Sequence, residues 1–321
     1  MKTILTLLTL TISLHLVAQD NNQIRTDTNK TKDLLQAKDS IITIDTLAVN
    51  PDDKSYFKAQ MSFTSNYSYY GRTNVNAIPY LAPYLGYFNK NGFFVSTSLY
   101  YSLTNQSKIE TYMIDIGYDY EVNKKLTLGA FANKTNYNNS SSIVSSSVKG
   151  FVGGYIDYDF NYFEITLDSE VLLSKKADLN FTPTLYREFE MLKNKSLKIT
   201  PTVLANFSSL HYYEDYSNKK IKKNSISQTS TSVETVVNNN RFTLLDYEFS
   251  VPVEYKLHNF VFFATPLFAI PIHPVYTTST YTLHTANGVQ IGNPITVDST
   301  EASELNLKNK FFVEVGLYYK F

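Results

Sequence analysis

The chain has no cysteine and no tryptophan, and only 11 Gly and 10 Pro in 321 residues. The missing cysteine excludes disulfides, thiol chemistry, Cys-ligated metals and a lipid-modified cysteine behind a signal. An excess of one charge is missing too. The 29 Lys and Arg balance 29 Asp and Glu, so no basic field points to nucleic acid. After the first twenty residues no apolar run approaches the roughly 20 residues that a membrane-crossing helix needs. Histidines are few: His15, His211, His258, His273 and His284. None has the HExxH type of spacing that holds zinc, so no metal and no cofactor is expected, and the histidines read as loop or interface residues. A phosphate loop is absent as well. "VKGFVGG" around Gly150–Gly154 lacks the Lys-Ser/Thr of a P-loop, and its glycines read as places where a strand neighbour needs room.

What remains is rich in Tyr (26), Phe (21), Ser and Thr. Aromatic and Thr-rich sequence with period-two alternation and no helical runs is the mark of an all-β chain. The first residues differ. Met1-Lys2 is basic, Ile4 to Val17 is mostly apolar, and Ala18-Gln19-Asp20 offers a small residue for cleavage. That is the layout of a secretory signal peptide, expected over residues 1–19. Residues 20–54 are polar and without a core pattern, and read as a flexible leader. Strands begin near Tyr56, so residues 55–321 form the folded unit.

Twelve segments alternate: 56–70, 77–88, 92–103, 109–121, 125–136, 146–160, 162–174, 179–190, 196–212, 241–256, 259–275 and 309–321. Each is about as long as a tilted membrane-crossing strand of roughly 9–11 residues, or longer. A soluble sandwich would alternate in the same way, so the connections decide. "NKNG" (Asn89–Gly92), "VNKK" (Val122–Lys125), Asn161, "LKNK" (Leu192–Lys195) and "LHN" (Leu257–Asn259) are short. They take turns with longer links, of which 213–240 and 276–308 are the longest. Short turns at one end and long loops at the other is the asymmetry of an outer-membrane barrel. A sandwich must also protect its edge strands, and no edge protection is evident; closure removes the edges. The fold class expected is a closed antiparallel transmembrane β-barrel of about 12 strands.

The alternation then assigns faces. Tyr112, Ile114, Ile116, Tyr118 and Tyr120 oppose Asp115 and Asp119. Leu245, Tyr247, Phe249, Val251 and Val253 oppose Asp246, Glu248 and Glu254. In a lipid-embedded barrel the apolar set faces outward and the polar set lines the lumen. The lumen-lining carboxylates expected are Asp115, Asp157, Asp168, Glu170, Asp246, Glu248 and Glu314. Their partners would be Tyr, Ser and Thr, or Arg72 and Arg187; Lys58 and Lys320 are expected toward the periplasmic rim. Seven prolines fall inside expected strands: Pro79, Pro83, Pro183, Pro201, Pro252, Pro266 and Pro271. Proline cannot donate to a ladder, so bulges that bend the strands are expected there.

The last strand ends "FFVEVGLYYKF", with Val313, Val315, Leu317, Tyr319 and Phe321 on one face. It resembles the C-terminal insertion signal of Gram-negative outer-membrane β-barrels, with Val315, Leu317, Tyr319 and Phe321 carrying it. Further stretches, "SNYSYYGR" (Ser65–Arg72), "IPYLAPYLGYFNKNGFFVSTSLYYS" (Ile78–Ser102), "GYDYEV" (Gly117–Val122), "ITPTVLANFSSLHYYEDY" (Ile199–Tyr216) and "LLDYEFSVPVEY" (Leu244–Tyr255), resemble a family of Bacteroidetes outer-membrane barrels without an assigned activity. The resemblance implies outer-membrane lipids and the barrel-assembly machinery as partners, and no catalytic residue.

A non-enzymatic envelope protein is therefore expected, a narrow solute pore or a structural or binding barrel, with its oligomeric state open. Two alternatives carry named residues. Ser209 and His211 stand two apart, which would place both on the lipid face as in outer-membrane phospholipases, though the surrounding motif of that family is missing. The long loops 213–240 and 276–308 could serve an adhesin or receptor, and the basic run "SNKKIKKNS" (Ser217–Ser225) could meet phosphates.

Overall fold

A computed structural model describes residues 54–73, 77–104, 108–138, 141, 143, 145–214, 230–238, 241–284 and 289–300, together with 307–321. The expected signal peptide, most of the leader and the basic run Ser217–Ser225 lie outside these residues.

Twenty strand segments follow in chain order: β1 Tyr56–Thr64, β2 Ser68–Tyr69, β3 Arg72–Thr73, β4 Tyr80–Phe88, β5 Phe93–Ser102, β6 Lys108–Asn123 and β7 Leu126–Tyr137. Then come β8 Gly150–Asp159, β9 Glu164–Leu172, β10 Asp178–Tyr186, β11 Phe189–Met191, β12 Leu197–Ile199 and β13 Thr202–Ser208. The last are β14 Ser230–Val237, β15 Thr243–Ser250, β16 Val253–Leu257, β17 Phe260–Pro271, β18 Tyr276–His284, β19 Gln290–Thr300 and β20 Lys310–Lys320. Fifteen of them form one sheet in which each neighbour is antiparallel, and β20 pairs with both β1 and β17. The sheet therefore closes on itself. Because β10–β11, β12–β13 and β15–β16 are each one strand with a break, the barrel has 12 strands. All twelve expected segments are present, most with an end trimmed and β6 extended at both ends.

Two of the three breaks coincide with a proline. Pro201 separates β12 from β13, and Pro252 separates β15 from β16. Pro83 keeps its register partner Met61 in β1 but loses the one in β5, and Pro183 keeps Leu167 in β9 but loses the one in β13. Each ring removes an N–H from one side of the ladder and leaves the other side intact. Two strand breaks and two one-sided gaps thus stand where bulges were expected. A true bulge lies in β15, opposite the step between Asn206 and Phe207. It turns Leu245 inward, where it is fully buried, correcting its expected place on the lipid face.

The outside of the barrel is apolar. Met61, Leu85, Ile114, Ile116, Leu167, Val315 and Leu317 are exposed on the outer face, while Gln60, Ser62, Thr166, Asp168 and Glu314 on alternate positions are buried. That inversion of a soluble core is stable only when the outer face meets hydrocarbon. Aromatic rings gather at the short-turn end: Phe57 with Tyr87 (4.9 Å), Tyr158 with Phe160 (4.6 Å), Phe160 with Phe163 (5.0 Å) and Phe260 with Tyr319 (4.8 Å). Such a girdle belongs at a membrane–water boundary. The short turns are closed by side-chain amides and carboxylates. Asn89 Oδ1 accepts from Asn91 N (2.9 Å), and Asn123 Oδ1 from Lys125 N (2.8 Å). Arg187 Nη1 donates to the Asn161 carbonyl (2.5 Å), so this arginine braces a turn and does not pair with a lumen carboxylate.

The last residue fastens the seam. Phe57 N donates to Phe321 O (2.8 Å), Phe321 N donates to Phe57 O (3.0 Å), and the two rings stack at 5.8 Å. At the opposite end the two longest loops add structure that alternation did not announce. β14, β18 and β19 form a separate three-stranded sheet.

Candidate functional site

Between β1 and β4 the chain folds into the barrel instead of standing above it. β2 and β3 pair as a hairpin, Ser68 opposite Thr73 and Tyr69 opposite Arg72. Its tip, Tyr70 and Gly71, has φ of 50° and 72°, the two positive values of a type I′ turn. An aromatic residue in the left-handed region is unfavourable on its own. Here the wall holds it: Tyr70 Oη donates to Glu170 Oε1 (3.2 Å) and accepts from Asn180 Nδ2. The same Asn180 also donates to Glu170 (3.0 Å) and accepts from Ser208 Oγ. These partners lie on β9, β10 and β13, across the lumen from β1. Tyr67, Tyr69, Tyr70 and Arg72 are all buried.

Other loops close over the hairpin. Tyr69 meets Tyr212 edge-on at 5.2 Å, Tyr67 Oη shares a hydrogen bond with Ser145 Oγ (3.0 Å), and Ser147 Oγ donates to the Tyr212 carbonyl (2.8 Å). With Ile143, Val148, Leu210 and Tyr213 they make an apolar plug in the long-loop half of the barrel.

Arg72 is the charged centre of this plug. Its Nη1 donates to the Tyr70 carbonyl and its Nη2 to the His273 carbonyl, both at 2.8 Å. Beside it stands Asp246, whose Oδ1 accepts from Asn206 Nδ2 (2.9 Å). Glu248 lies against Asp246 and accepts the Gly71 backbone N–H. Low dielectric strengthens such charge pairing and makes unpaired charge costly, so a buried arginine among buried carboxylates is the expected compensation.

The remaining expected lumen carboxylates all face inward, Asp115 and Asp157 with local hydrogen-bond partners. Asp115 accepts from Asn133 Nδ2 (2.6 Å) and Ser96 Oγ (3.4 Å). Asp157 accepts from Thr166 Oγ1 (2.6 Å) and Tyr186 Oη (2.9 Å). Asp168 and Glu314 are buried. Asp119 and Glu254 join them, bonded to Tyr155 Oη (2.8 Å) and Tyr318 Oη (3.4 Å). Lys58 follows the girdle residue Phe57 and stands opposite Lys320 in the ladder, near the short-turn end. It is buried, with its ammonium 4.2 Å from the centre of the Tyr318 ring; Lys320 lies 5.0 Å from the Tyr56 ring. Lys58 and Arg72 are the buried basic side chains among the described residues, against a much larger set of carboxylates. The lining is two-sided: Val261, Phe263, Leu267, Ala269 and Phe312 make an apolar wall on β17 and β20.

Ser209 and His211 do not lie on a lipid-facing strand. β13 ends at Ser208, and residues 211–214 form one helical turn. Asp178 caps that turn. It accepts from Ser209 Oγ (2.7 Å), His211 N (2.8 Å) and Tyr212 N (2.7 Å), and His211 Nδ1 lies 2.9 Å away. The serine hydroxyl is aimed at the carboxylate and not at the imidazole, which is the wrong order for a triad. Among the other histidines, His258 sits in a short turn with φ of 57°, and His273 Nδ1 lies 2.7 Å from the Leu244 carbonyl. No group of three or more His, Asp or Glu among the described residues is arranged around a metal position.

The class defined by this pairing, outer face and lining is a membrane-spanning β-barrel. No protein-family model and no curated protein matches the sequence, so the expected Bacteroidetes family is left without a match. Among solved structures the chain is similar to a KdgM porin, with 11% identity over 83% of this chain and 99% of that one (TM-score 0.41). It is also similar to Salmonella typhi OmpF in complex with daunomycin (10%, 84% and 97%, TM-score 0.33) and to the outer membrane channel DcaP of Acinetobacter baumannii (9%, 84% and 96%, TM-score 0.31). The barrel itself is defined by its strand pairing.

Proposed function

We propose that this chain is a non-enzymatic channel of the outer membrane, cation-preferring, and shut in the conformation described by its own Tyr69–Arg72 hairpin. One observation carries the reading: inward carboxylates on many strands face a lumen whose buried basic side chains, among the described residues, are Lys58 and Arg72, the second of them brought in by the hairpin. A pore lined by one sign of charge concentrates the opposite ion, and carboxylate rings select cations. The hairpin, with the loop residues Ile143, Val148, Leu210 and Tyr213 packed on it, blocks passage in the long-loop half of the lumen.

Export by the signal peptide, assembly through the terminal strand by the barrel-assembly machinery and residence among outer-membrane lipids complete the reading. Reversal potential of the purified barrel under a KCl gradient tests it. The expected result is a potassium-directed potential that falls toward zero in the Asp246→Asn, Glu248→Gln variant. Anion selectivity contradicts it.

A second reading rests on the sheet of β14, β18 and β19, where Val289, Ile291 and Ile295 are exposed. A surface receptor would use it, and trimming 276–308 would then abolish ligand capture while leaving the barrel folded.

A further inference from the structure

Resting on the channel reading above, we propose that the recess formed by Asp246, Glu248 and the His273 carbonyl is a binding site for guanidinium-bearing solutes, which the chain fills with its own Arg72 in the shut state. The wall part of the site is independent of the hairpin. His273 O belongs to the segment after β17, and Asp246 and Glu248 lie on β15. When the hairpin leaves, a carbonyl and two carboxylates remain.

Their aim is fixed. Asp246 is fully buried, and its Oδ1 is held by Asn206 Nδ2, whose own Oδ1 accepts from Thr182 Oγ1 (2.9 Å). Its Oδ2 is buried and faces the hairpin tip: a Cβ placed on Gly71 would stand 2.9 Å from it. Glu248 is opposite Ala269 on the apolar side of the lumen. The two carboxyl groups also hydrogen-bond to each other through their side chains, and the negative charge that such a buried pair retains beside an apolar wall favours a cation there.

The geometry selects the kind of cation. A guanidinium is planar, with several N–H groups in a fixed fork, and suits a carbonyl and a carboxylate at once. An ammonium is a compact, strongly hydrated point charge that cannot make the same fork. Arg72 already displays half of the arrangement, Nη2 on His273 O at 2.8 Å with Asp246 beside it. The chain thus carries a tethered copy of the solute's recognition group, which holds the recess against free solute as long as it is in place.

The test uses the full chain with residues 68–73 replaced by a short Gly-Ser link, and the Arg72→Ala chain as a second variant that keeps the hairpin. L-Arginine methyl ester is titrated in detergent while the heat-modifiable unfolding midpoint is followed, with L-citrulline methyl ester and L-lysine methyl ester as comparators. The arginine ester is expected to raise the midpoint of both variants and leave the wild type unchanged. The citrulline ester should have no effect and the lysine ester a smaller one. Asp246→Asn in either variant should weaken the arginine response about tenfold or more. Equal responses to the three esters, or an undiminished response in Asp246→Asn, overturn the proposal.

Potassium conductance of the trimmed barrel is measured separately, so the two readings fail apart. Cation-selective current without arginine binding removes the site and keeps the channel. Arginine binding in a folded barrel that stays silent removes the channel and keeps the site.

Discussion

A Cβ built on Gly71 would stand 2.9 Å from the Cβ of Asp246, with Gly71 at φ of 72°. The hairpin tip and the barrel wall touch so closely that only a glycine fits between them, and in a conformation that side chains rarely adopt. Gly71→Ala therefore penalises the shut state twice, by left-handed strain of roughly 1–2 kcal/mol and by contact with Asp246. The ratio of open to shut molecules should rise about 5- to 30-fold. Single-channel recording checks this: the variant is expected to spend more time conducting, with unchanged selectivity.

Loss of the final residue acts elsewhere. Phe321 exchanges two backbone hydrogen bonds with Phe57 and stacks on its ring, so deleting it removes the last rung of the closing seam. The terminal strand is also the segment that an insertion machine would bind by strand addition. Membrane fractionation should show less assembled barrel and unfolded protein in the periplasm. Normal levels of the shortened chain would count against this.

Asp178 holds three N–H and O–H groups around the turn at 211–214. Asp178→Ala leaves the buried Tyr212 N–H, among others, without its acceptor, at about 1–3 kcal/mol for each buried group. The heat-modifiable transition should fall, and the plug above Tyr69 should become accessible to protease. Ser209→Ala removes only one of the donors and should lower stability little. Phospholipid hydrolysis by the purified protein should stay at background in wild type and variant alike.

Gly129 offers a check on the packing of the lining. Its missing Cβ would lie 1.6 Å from the Tyr155 ring, and that ring carries the hydroxyl bonded to Asp119. Gly129→Ala must swing the ring and break the bond, at about 1–3 kcal/mol. Tyr155→Ala should make the same glycine change nearly harmless. A double-mutant cycle on unfolding midpoints measures the coupling; additive effects would contradict the contact.

The barrel was legible in the sequence because lipid and lumen impose a strict period of two. Phe57, Met61, Ile114 and Leu317 stand on the face that their parity gives them, and the short Asn-rich turns mark one end of every hairpin. Besides the sheet of β14, β18 and β19, three things escaped that logic. The β2–β3 hairpin has Tyr-Gly where Asn-Gly would announce a type I′ turn, and it is held by long-range partners, Glu170, Asn180 and His273, which no local pattern can name. Leu245 left the lipid face because it is itself the extra, unpaired residue of a bulge in β15. Ser209 and His211 were assigned to a strand that stops one residue earlier, where a carboxylate thirty residues away caps the turn. In the site itself, the carboxylates followed from parity and Arg72 from charge balance, while the loop that brings them together did not.

The claim that the hairpin shuts the lumen is tested most directly by removing it. The wild-type barrel and the barrel with residues 68–73 replaced by a short Gly-Ser link, both shown to be folded by their heat-modifiable shift, are placed in planar bilayers under the same KCl gradient. The wild type is expected to stay largely silent and the trimmed barrel to carry potassium-selective current. A folded trimmed barrel as silent as the wild type, or a wild type that conducts as well as the trimmed one, would contradict the account.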